Sequence, residues 1–195
     1  MSTPGKVFQI GFNRCGTLSL HTLFETNNYA SIHWENGRLA QRIQENFDSR
    51  QPLLTGYEKF VFYCDMERLT SARWISIYIT HFKELDRQYP GSRFILNTRN
   101  VEHWIASRLS HVDYAKRFCQ CIEGDQNELV QLWRRHWQQH HANVLKHFAG
   151  RPNSLLVFDI DTDSISKIKG FLPEFTFSNT ALPHQNRRSS KSDKS

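Results

Sequence analysis

The sequence lacks the long apolar runs and cysteine patterns that would place it in several protein classes. It has no stretch of 18 consecutive apolar residues, which argues against a membrane span, and Met1–Lys6 show no apolar segment typical of a secretory signal. It has 4 cysteines in 195 residues and no CxxC pair, so neither a disulfide framework nor a zinc site is indicated. We therefore expect a protein of a reducing, cytoplasmic compartment.

Excess charge is also small, and much of it is local. The 25 lysines and arginines exceed the 19 aspartates and glutamates by 6. About half of this excess lies in residues 184–195, which hold four basic side chains and one acidic one. A nucleic-acid-binding protein usually has a broader basic face, so the charge favours an anionic small molecule and no nucleic acid. We predict one domain over 1–183, followed by a basic, partly disordered tail over 184–195.

The chain has enough apolar residues for a large core, since 38% of it is hydrophobic and 13% aromatic. Apolar periodicity predicts short strands that alternate with helices. The predicted strands are Lys6–Ile10, Tyr29–His33, Phe60–Cys64, Arg93–Asn97 and Ser154–Phe158; the predicted helices are Thr17–Asn27, Gly37–Phe47, Ser71–Tyr89, Val101–Leu109, a helix capped by Asp125 that reaches Phe148, and Ile165–Leu172. This alternation predicts an α/β fold, a three-layer αβα arrangement around a mostly parallel sheet.

The first predicted strand leads into a glycine loop with phosphate-binding spacing. Gly11 and Gly16 are separated by four residues, as in a P-loop, and a helix follows at once. Loop amides and a helix N-terminus are suited to bind an anion. A Walker A loop would continue with Lys and then Ser or Thr, but this chain has Thr17 and Leu18. Arg14 is the only cation in the loop, and a simple glycine turn remains the alternative interpretation.

A second segment has the features of a second phosphate site. Arg99 follows the strand Arg93–Asn97, and Ser107 lies eight residues later in the predicted helix Val101–Leu109. The two side chains could bind one phosphate from two directions. The alternative is a capped helix with an arginine at the surface.

In this order, the two segments resemble the sulfotransferases that use 3′-phosphoadenosine 5′-phosphosulfate (PAPS). Arg14-Cys-Gly-Thr-Leu-Ser19 is similar to the family's 5′-phosphosulfate loop, Lys/Arg-Ser-Gly-Thr-Thr, and departs from it at Cys15 and Leu18. Arg99 and Ser107 match the family's 3′-phosphate motif. The resemblance covers roughly residues 6–188.

This resemblance implies a P-loop-type nucleotide-binding fold and transfer of a sulfuryl group from PAPS to a hydroxyl or amine, without a metal. The acceptor would be a small molecule or a glycan; neither its identity nor the oligomeric state can be predicted. Arg14 would also act in catalysis. The residues implied in donor binding are Arg14, Cys15, Gly16, Thr17, Leu18, Ser19, Arg99, Ser107 and, in a late basic segment, Arg187.

An acceptor hydroxyl also needs a base. His33 is the first choice because it ends the second predicted strand, beside the phosphate loop. Asp65, which follows the third strand, and Glu35 are the alternatives. Each has a plainer interpretation: a structural histidine, a helix cap and a surface carboxylate.

Two other functions compete with sulfuryl transfer. One is a P-loop kinase for a nucleotide or small molecule, which would require Mg²⁺ and the missing loop lysine. The other is a non-catalytic nucleotide-binding protein of the same fold, favoured by the shortness of the chain.

Overall fold

Short strands of bulky apolar residues form a central parallel sheet in the computed structural model, which describes residues 5–183. Such strands are suited to a sheet that is covered on both faces. Across the described residues this sheet has five strands: β1 (Val7–Gln9), β2 (Ser31–His33), β3 (Phe62–Cys64), β6 (Arg93–Thr98) and β7 (Leu155–Asp159). Their order in the sheet is β2-β3-β1-β6-β7, and all neighbouring pairs are parallel.

Helices cover both faces of this sheet, each over its own apolar core. On one face, α1 (Thr17–Glu25) and α8 (Ile165–Phe171) pack against Val7, Phe62 and Ile95. The opposite face is covered by six helices of the described chain, with Phe8 and Phe94 on the sheet side. They are α2 (Arg38–Asp48), α3 (Ile77–Thr80), α4 (Phe82–Gln88), α5 (Val101–Leu109), α6 (Val112–Ile122) and α7 (Gln126–His147). The predicted three-layer α/β fold is confirmed.

Parallel pairing brings the carboxyl ends of all five strands to one edge of the sheet. Val7 of β1 lies opposite Phe62 of β3 and Arg93 of β6, and this register places the ends of the three strands at the same level. Ligands of open α/β sheets bind outside this edge. The segments that leave the sheet here are the loop 11–16, His33, Asp65, Arg99 and the turn after Asp159.

The predicted helix Ser71–Tyr89 is wrong in its first part. Trp74–Ser76 forms strand β5, which pairs antiparallel with β4 (Glu67–Leu69). The Thr70 hydroxyl accepts the backbone N–H groups of Ala72 and Arg73 at 3.3 and 3.0 Å, and this turn closes the hairpin. From Ile77 onwards the prediction of helix is correct, but the chain forms two helices, α3 and α4, with a break at His81. Helix α6 was not predicted from the sequence.

The longest helix, α7, begins as predicted at an Asp125 cap. The Asp125 carboxylate accepts the N–H groups of Asn127 and Glu128 at 2.7 and 2.9 Å, while Glu128 accepts the N–H of Asp125 at 2.9 Å. This capping box satisfies amides at the helix start. Within residues 5–183, no helix has both the length and the apolar character needed to cross a membrane. The segment 184–195, with Arg187, lies outside the described residues.

Candidate active site

The glycine loop is held from below by one buried side chain of β6. Asn97 is fully buried, and its Oδ1 accepts the N–H of Gly11 at 3.0 Å. Its Nδ2 donates to the carbonyl of Cys15 at 2.7 Å and to that of Phe12 at 3.3 Å. A Cβ atom at Gly11 would overlap the Asn97 carbonyl oxygen. Glycine at this position thus permits the close approach of β1 and β6 that fixes the start of the loop.

The end of the loop turns directly into α1. Gly16 caps the helix with φ 76°, a left-handed conformation that glycine adopts without steric cost. The first-turn amides, which include those of Thr17, Leu18 and Ser19, have no partner within an α-helix. They lie at the positive end of the helix dipole. The predicted anion-binding geometry, a loop that feeds a helix N-terminus, is therefore present.

Cys15 occupies a position where the similar family has serine. Its side chain is fully buried in the apolar core, and burial raises the pKa of the Cys15 thiol well above its usual value. A thiol in this environment stays protonated and behaves as a small apolar residue. Cys15 thus contributes packing and a backbone carbonyl to the loop.

The two predicted phosphate motifs meet in space. Arg14 Nε donates to Ser107 Oγ at 3.1 Å, although 93 residues separate them in sequence. Arg99 Nη1 donates to the Arg14 carbonyl at 3.3 Å. Asn100 caps α5 by accepting the N–H groups of Glu102 and His103 at 2.9 and 3.2 Å, which fixes the helix that carries Ser107. The loop, the end of β6 and α5 therefore form one polar cluster.

A carboxylate that the sequence analysis missed completes this cluster. Asp161, in the turn after β7, accepts Arg99 Nη2 at 3.0 Å and Arg99 Nε at 3.3 Å. A bidentate pair of this kind holds the guanidinium plane in one orientation. The preceding residue, Ile160, packs against Gly16. The sequence shows three aspartates in 159–163, but nothing in their spacing identifies which one faces Arg99.

The candidate bases His33 and Asp65 lie side by side at the same edge. His33 Nε2 is 3.4 Å from Asp65 Oδ2. Burial and the neighbouring His21 lower the pKa of His33 to about 4. Burial and Glu67 raise the pKa of Asp65 to about 7, against the opposing effects of Arg108 and Arg14. Near neutral pH, His33 is therefore uncharged, while Asp65 is close to its own titration point.

Asp65 is also tied to the strand that supplies the phosphate loop. Its backbone N–H donates to Gln9 Oε1 at 2.9 Å, and Gln9 Nε2 donates in turn to the Gly11 carbonyl at 2.5 Å. Asp65 has φ 51°, a left-handed conformation that is uncommon outside glycine. The turn that carries the carboxylate is thus anchored to the end of β1.

The turn after His33 is built from left-handed residues. Trp34, Glu35 and Asn36 have φ values of 55°, 49° and 56°. Such conformations cost about 1–3 kcal/mol each and persist only where the surroundings hold them. Glu35 accepts the Tyr57 hydroxyl at 2.9 Å, whereas Trp34 exposes 44% of its surface next to His33. Trp34 is thus available to contact a bound molecule, and Glu35 is engaged with Tyr57.

Two buried charged residues beneath the loop were not predicted from the sequence. Arg108 is fully buried and Glu67 is 3% exposed; Arg108 Nη2 lies 3.3 Å from Glu67 Oε2. Both contact Asn13 of the loop: Arg108 Nε donates to Asn13 Oδ1 at 2.8 Å, and Asn13 Nδ2 donates to Glu67 Oε1 at 3.1 Å. The one signal in the sequence is that Arg108, directly after Ser107, shares a helix face with the apolar residues Trp104 and Ile105.

Comparison with known proteins agrees with this geometry. The family model described as "Sulfotransferase domain" matches residues 6–122, which is well over half of the chain. The match includes the loop 11–16, the candidate bases and the Arg99–Ser107 segment. The comparison with curated proteins gave no match. Among residues 5–183, no three His, Cys, Asp or Glu side chains are grouped so that they could hold a metal ion.

Proposed function

The chain belongs to the sulfotransferase-domain family, and on this premise we propose that it transfers a sulfuryl group from PAPS to a hydroxyl or amine of a small-molecule or glycan acceptor. The observation that carries the proposal is the convergence of the two phosphate motifs. Arg14, Ser107 and Arg99 are joined by contacts of 3.1 and 3.3 Å, although they come from separate elements. The family match supports sulfuryl transfer in general, and this convergence supports a donor that carries two separate phosphate groups.

Each end of the donor has a suitable counterpart. The loop amides, the N-terminus of α1 and Arg14 would bind the 5′-phosphosulfate. Arg99 and Ser107 would bind the 3′-phosphate, since arginine and hydroxyl groups are typical phosphate ligands. Asp161 engages the Nε–Nη2 edge of Arg99, so the guanidinium would meet the phosphate with the donors that remain. Arg187 stays a predicted donor ligand outside the described residues.

The chemistry that these residues would perform is electrostatic. In sulfuryl transfer, the bond from sulfur to the 5′-phosphate oxygen breaks as the acceptor oxygen bonds to sulfur, and negative charge grows on the leaving phosphate. Preorganised donors aimed at that charge are the usual main source of rate enhancement. Arg14, oriented through its bond to Ser107, and the first amides of α1 would supply them.

We propose that the His33–Asp65 pair removes the proton from the hydroxyl or amine that is sulfated. A carboxylate oxygen of Asp65 would be the atom that takes this proton. A general base works best when its pKa is near the working pH, and the pKa of Asp65 is raised to about 7. His33, with a pKa lowered to about 4, would remain a neutral neighbour whose Nε2 lies 3.4 Å from the Asp65 carboxylate. The environments thus favour Asp65 over the first choice made from sequence; Glu35 remains a third candidate.

Calorimetry with adenosine 3′,5′-bisphosphate tests the donor site. We expect this nucleotide to bind, and we expect Arg99→Ala and Ser107→Ala to weaken it by about tenfold or more while changing the affinity for adenosine 5′-monophosphate little. Arg134→Ala, at the surface of α7, is the matched control. Equal losses for both nucleotides would contradict the assignment of the 3′ site.

Turnover assays separate the proposed function from its alternatives. Labelled PAPS and a panel of phenols, sugars and amines should yield a labelled product with at least one acceptor. Tight binding of ATP–Mg²⁺ without binding of adenosine 3′,5′-bisphosphate would instead indicate a kinase. Binding of the bisphosphate with no turnover across the panel would favour a non-catalytic nucleotide-binding protein. The cytoplasmic location stays a prediction from the cysteine pattern.

A further inference from the structure

We propose that the buried pair Glu67–Arg108 is a positioning pair for the reaction: it fixes the phosphate loop through Asn13 and holds a negative charge beside Asp65. The inference rests on the proposed function and extends it to two residues outside both phosphate motifs. It joins the loop, the helix that carries Ser107, and the candidate base at one buried point.

The contacts of Asn13 carry the first half of the proposal. Its Oδ1 accepts Arg108 Nε at 2.8 Å, its Nδ2 donates to Glu67 Oε1 at 3.1 Å, and its carbonyl accepts Trp104 Nε1 at 3.0 Å. Asn13 directly precedes Arg14, so these three bonds fix the backbone from which the catalytic arginine extends. Arg108 likewise directly follows Ser107, the partner of Arg14.

The surroundings of the pair hold it in one arrangement. Glu67 Oε1 accepts the Tyr114 hydroxyl at 2.6 Å, and Glu67 Oε2 accepts the Tyr78 hydroxyl. Burial raises the pKa of Tyr78 and Tyr114 well above the usual value for tyrosine, so both remain donors. The Arg108 guanidinium lies 4.6 Å from the centroid of the Trp104 ring and 4.8 Å from that of Trp133. The two rings hold the guanidinium plane of Arg108 in one orientation.

Stability alone does not account for such a pair. Removing two charges from water has a desolvation cost that their attraction often only balances, and apolar replacements of similar volume are frequently as stable. Here both charges make hydrogen bonds to a loop residue, which apolar side chains could not do. The geometry therefore points to orientation of the loop as the contribution of the pair.

The second half of the proposal is the electrostatic effect of Glu67 on Asp65. The N–H of Glu67 donates to the Asp65 carbonyl at 2.8 Å across a tight turn, and the Glu67 carboxylate acts electrostatically on the Asp65 carboxyl group. The charged and titratable groups around Asp65 are Glu67 from β4, His33 from β2, Arg14 from the loop and Arg108 from α5. A like charge raises the pKa of a carboxyl group, whereas the two arginines act in the opposite direction. Glu67 thus counteracts Arg14 and Arg108 and keeps Asp65 basic.

The charge effect is tested with Glu67→Gln, which has nearly the same shape. We expect the acid limb of the kcat/KM profile to move to lower pH by about one unit. In the double variant Glu67→Gln/Arg108→Gln, opposite charges are removed together, so the limb should return towards its wild-type position. Because Glu67→Gln leaves Arg108 unpaired and can be unstable, thermal unfolding is measured alongside. A limb that stays in place in a folded single variant overturns this half.

The loop effect is tested with Asn13→Ala, which leaves the ion pair in place. We expect the affinity for adenosine 3′,5′-bisphosphate to fall roughly tenfold, because the loop loses its bonds to charged groups. The variant Glu67→Gln/Arg108→Gln should show the same loss of nucleotide affinity. Glu102→Gln/Arg134→Gln removes a surface ion pair and should change neither the affinity nor the pH profile. Wild-type affinity in Asn13→Ala overturns the anchoring role.

A carboxyl titration keeps this inference separable from the proposed function. Carbon-13 NMR of labelled aspartate, with Asp65→Asn to identify the resonance, measures the pKa of Asp65 without turnover. If no acceptor is sulfated but Glu67→Gln still lowers the Asp65 pKa, the proposed function fails and the electrostatic role of Glu67 stands. If turnover is found and the Asp65 pKa is the same in Glu67→Gln, the electrostatic half of the inference fails and the function stands.

Discussion

At the scale of single residues, the candidate site combines charges that oppose one another. Arg14 and Arg99 suit an anionic donor, but carboxylates accompany the arginines of the site: Asp161 pairs with Arg99, Glu67 pairs with Arg108, and Asp65 interacts electrostatically with Arg14. Carboxylates weaken the binding of a phosphate, but they also orient guanidinium groups and provide a base. The arrangement thus favours correct placement of the arginines over the largest possible positive potential.

Arg14→Ala should abolish most of the turnover. The lost donor would stabilise charge that grows in the transition state, which is worth roughly 3 kcal/mol, about a hundredfold in rate. Binding of adenosine 3′,5′-bisphosphate should fall less, because the loop amides remain. Steady-state kinetics and calorimetry measure the two effects, with Arg134→Ala as the control. Wild-type turnover in Arg14→Ala would remove this arginine from the mechanism.

The pH profile should identify the base. If Asp65 accepts the proton, kcat/KM should rise with pH through about 7, because the carboxyl group must first ionise. If His33 is the base, the rise should lie near pH 4, where its imidazole loses its proton. Because the two groups are adjacent, the measured values belong to the pair.

The matching variants are Asp65→Asn and His33→Ala. Asp65→Asn should lose roughly a hundredfold or more in turnover and retain nucleotide binding, while His33→Ala should lose less. The reverse order of losses would make His33 the base, as first predicted from sequence. If both variants kept full activity, Glu35 would be the next residue to test.

At the scale of secondary structure, the elements that carry the two phosphate motifs could be predicted from the sequence, because each has a local signal. A strand before a glycine loop, an asparagine cap before α5 and an aspartate cap before α7 are patterns set by neighbouring residues. The hairpin of β4 and β5 has no such signal. Trp74 and Ile75 have helical spacing with Tyr78 and Leu85, and only packing places Trp74 against Phe118.

The site's distant partners could not be predicted for the same reason. Arg14 and Ser107 were chosen from separate motifs, but their direct contact follows from the β1–β6 pairing. Glu67 and Arg108 look like ordinary surface charges in the sequence. Their burial depends on aromatic residues from α5, α6 and α7 that meet only in the folded protein.

Two glycine substitutions should separate loop geometry from helix propensity. Gly11→Ala should destabilise the protein by about 1–3 kcal/mol and weaken nucleotide binding, because the new methyl group overlaps the Asn97 carbonyl. Gly170→Ala, in α8, has open space around the new Cβ and should stabilise the fold by about 0.5–1 kcal/mol. Chemical denaturation and calorimetry measure these effects. Normal nucleotide affinity in Gly11→Ala would contradict the close packing of the loop on Asn97.

At the scale of the whole molecule, the candidate site lies over the larger of the two cores. Phe12 of the loop packs between Trp104 and Trp137, with ring centroids at 4.9 and 5.4 Å, so the loop is part of that core. His140 of α7 lies in the same cluster and has a hydrogen bond to the Ile10 carbonyl at 2.6 Å, just before the loop. Conditions that disturb this core should therefore also disturb the site.

Acid should destabilise the protein through His140 before ordinary carboxylates protonate. Burial lowers the pKa of His140 to about 4, whereas an unfolded histidine titrates near 6.5. Between these values the unfolded chain binds more protons, so stability falls as the pH drops from about 6.5 to 4, by on the order of 3 kcal/mol. His33, whose pKa is also lowered to about 4, acts in the same direction.

Asp65 acts in the opposite direction, because its raised pKa makes the folded state lose stability as the pH rises from about 4 to 7. The informative quantity is therefore the difference in free energy of unfolding between the wild type and His140→Gln, measured at each pH. Asp65 and His33 are present in both proteins, so their contributions cancel in this difference. A glutamine amide can still donate to the Ile10 carbonyl, so we expect a modest loss at pH 7 that shrinks or reverses towards pH 4. His103→Gln, at an exposed site on α5, is the control and should follow the wild type. A constant difference across this range would show that His140 does not titrate on unfolding, and the acid sensitivity would then have to come from another group in the core.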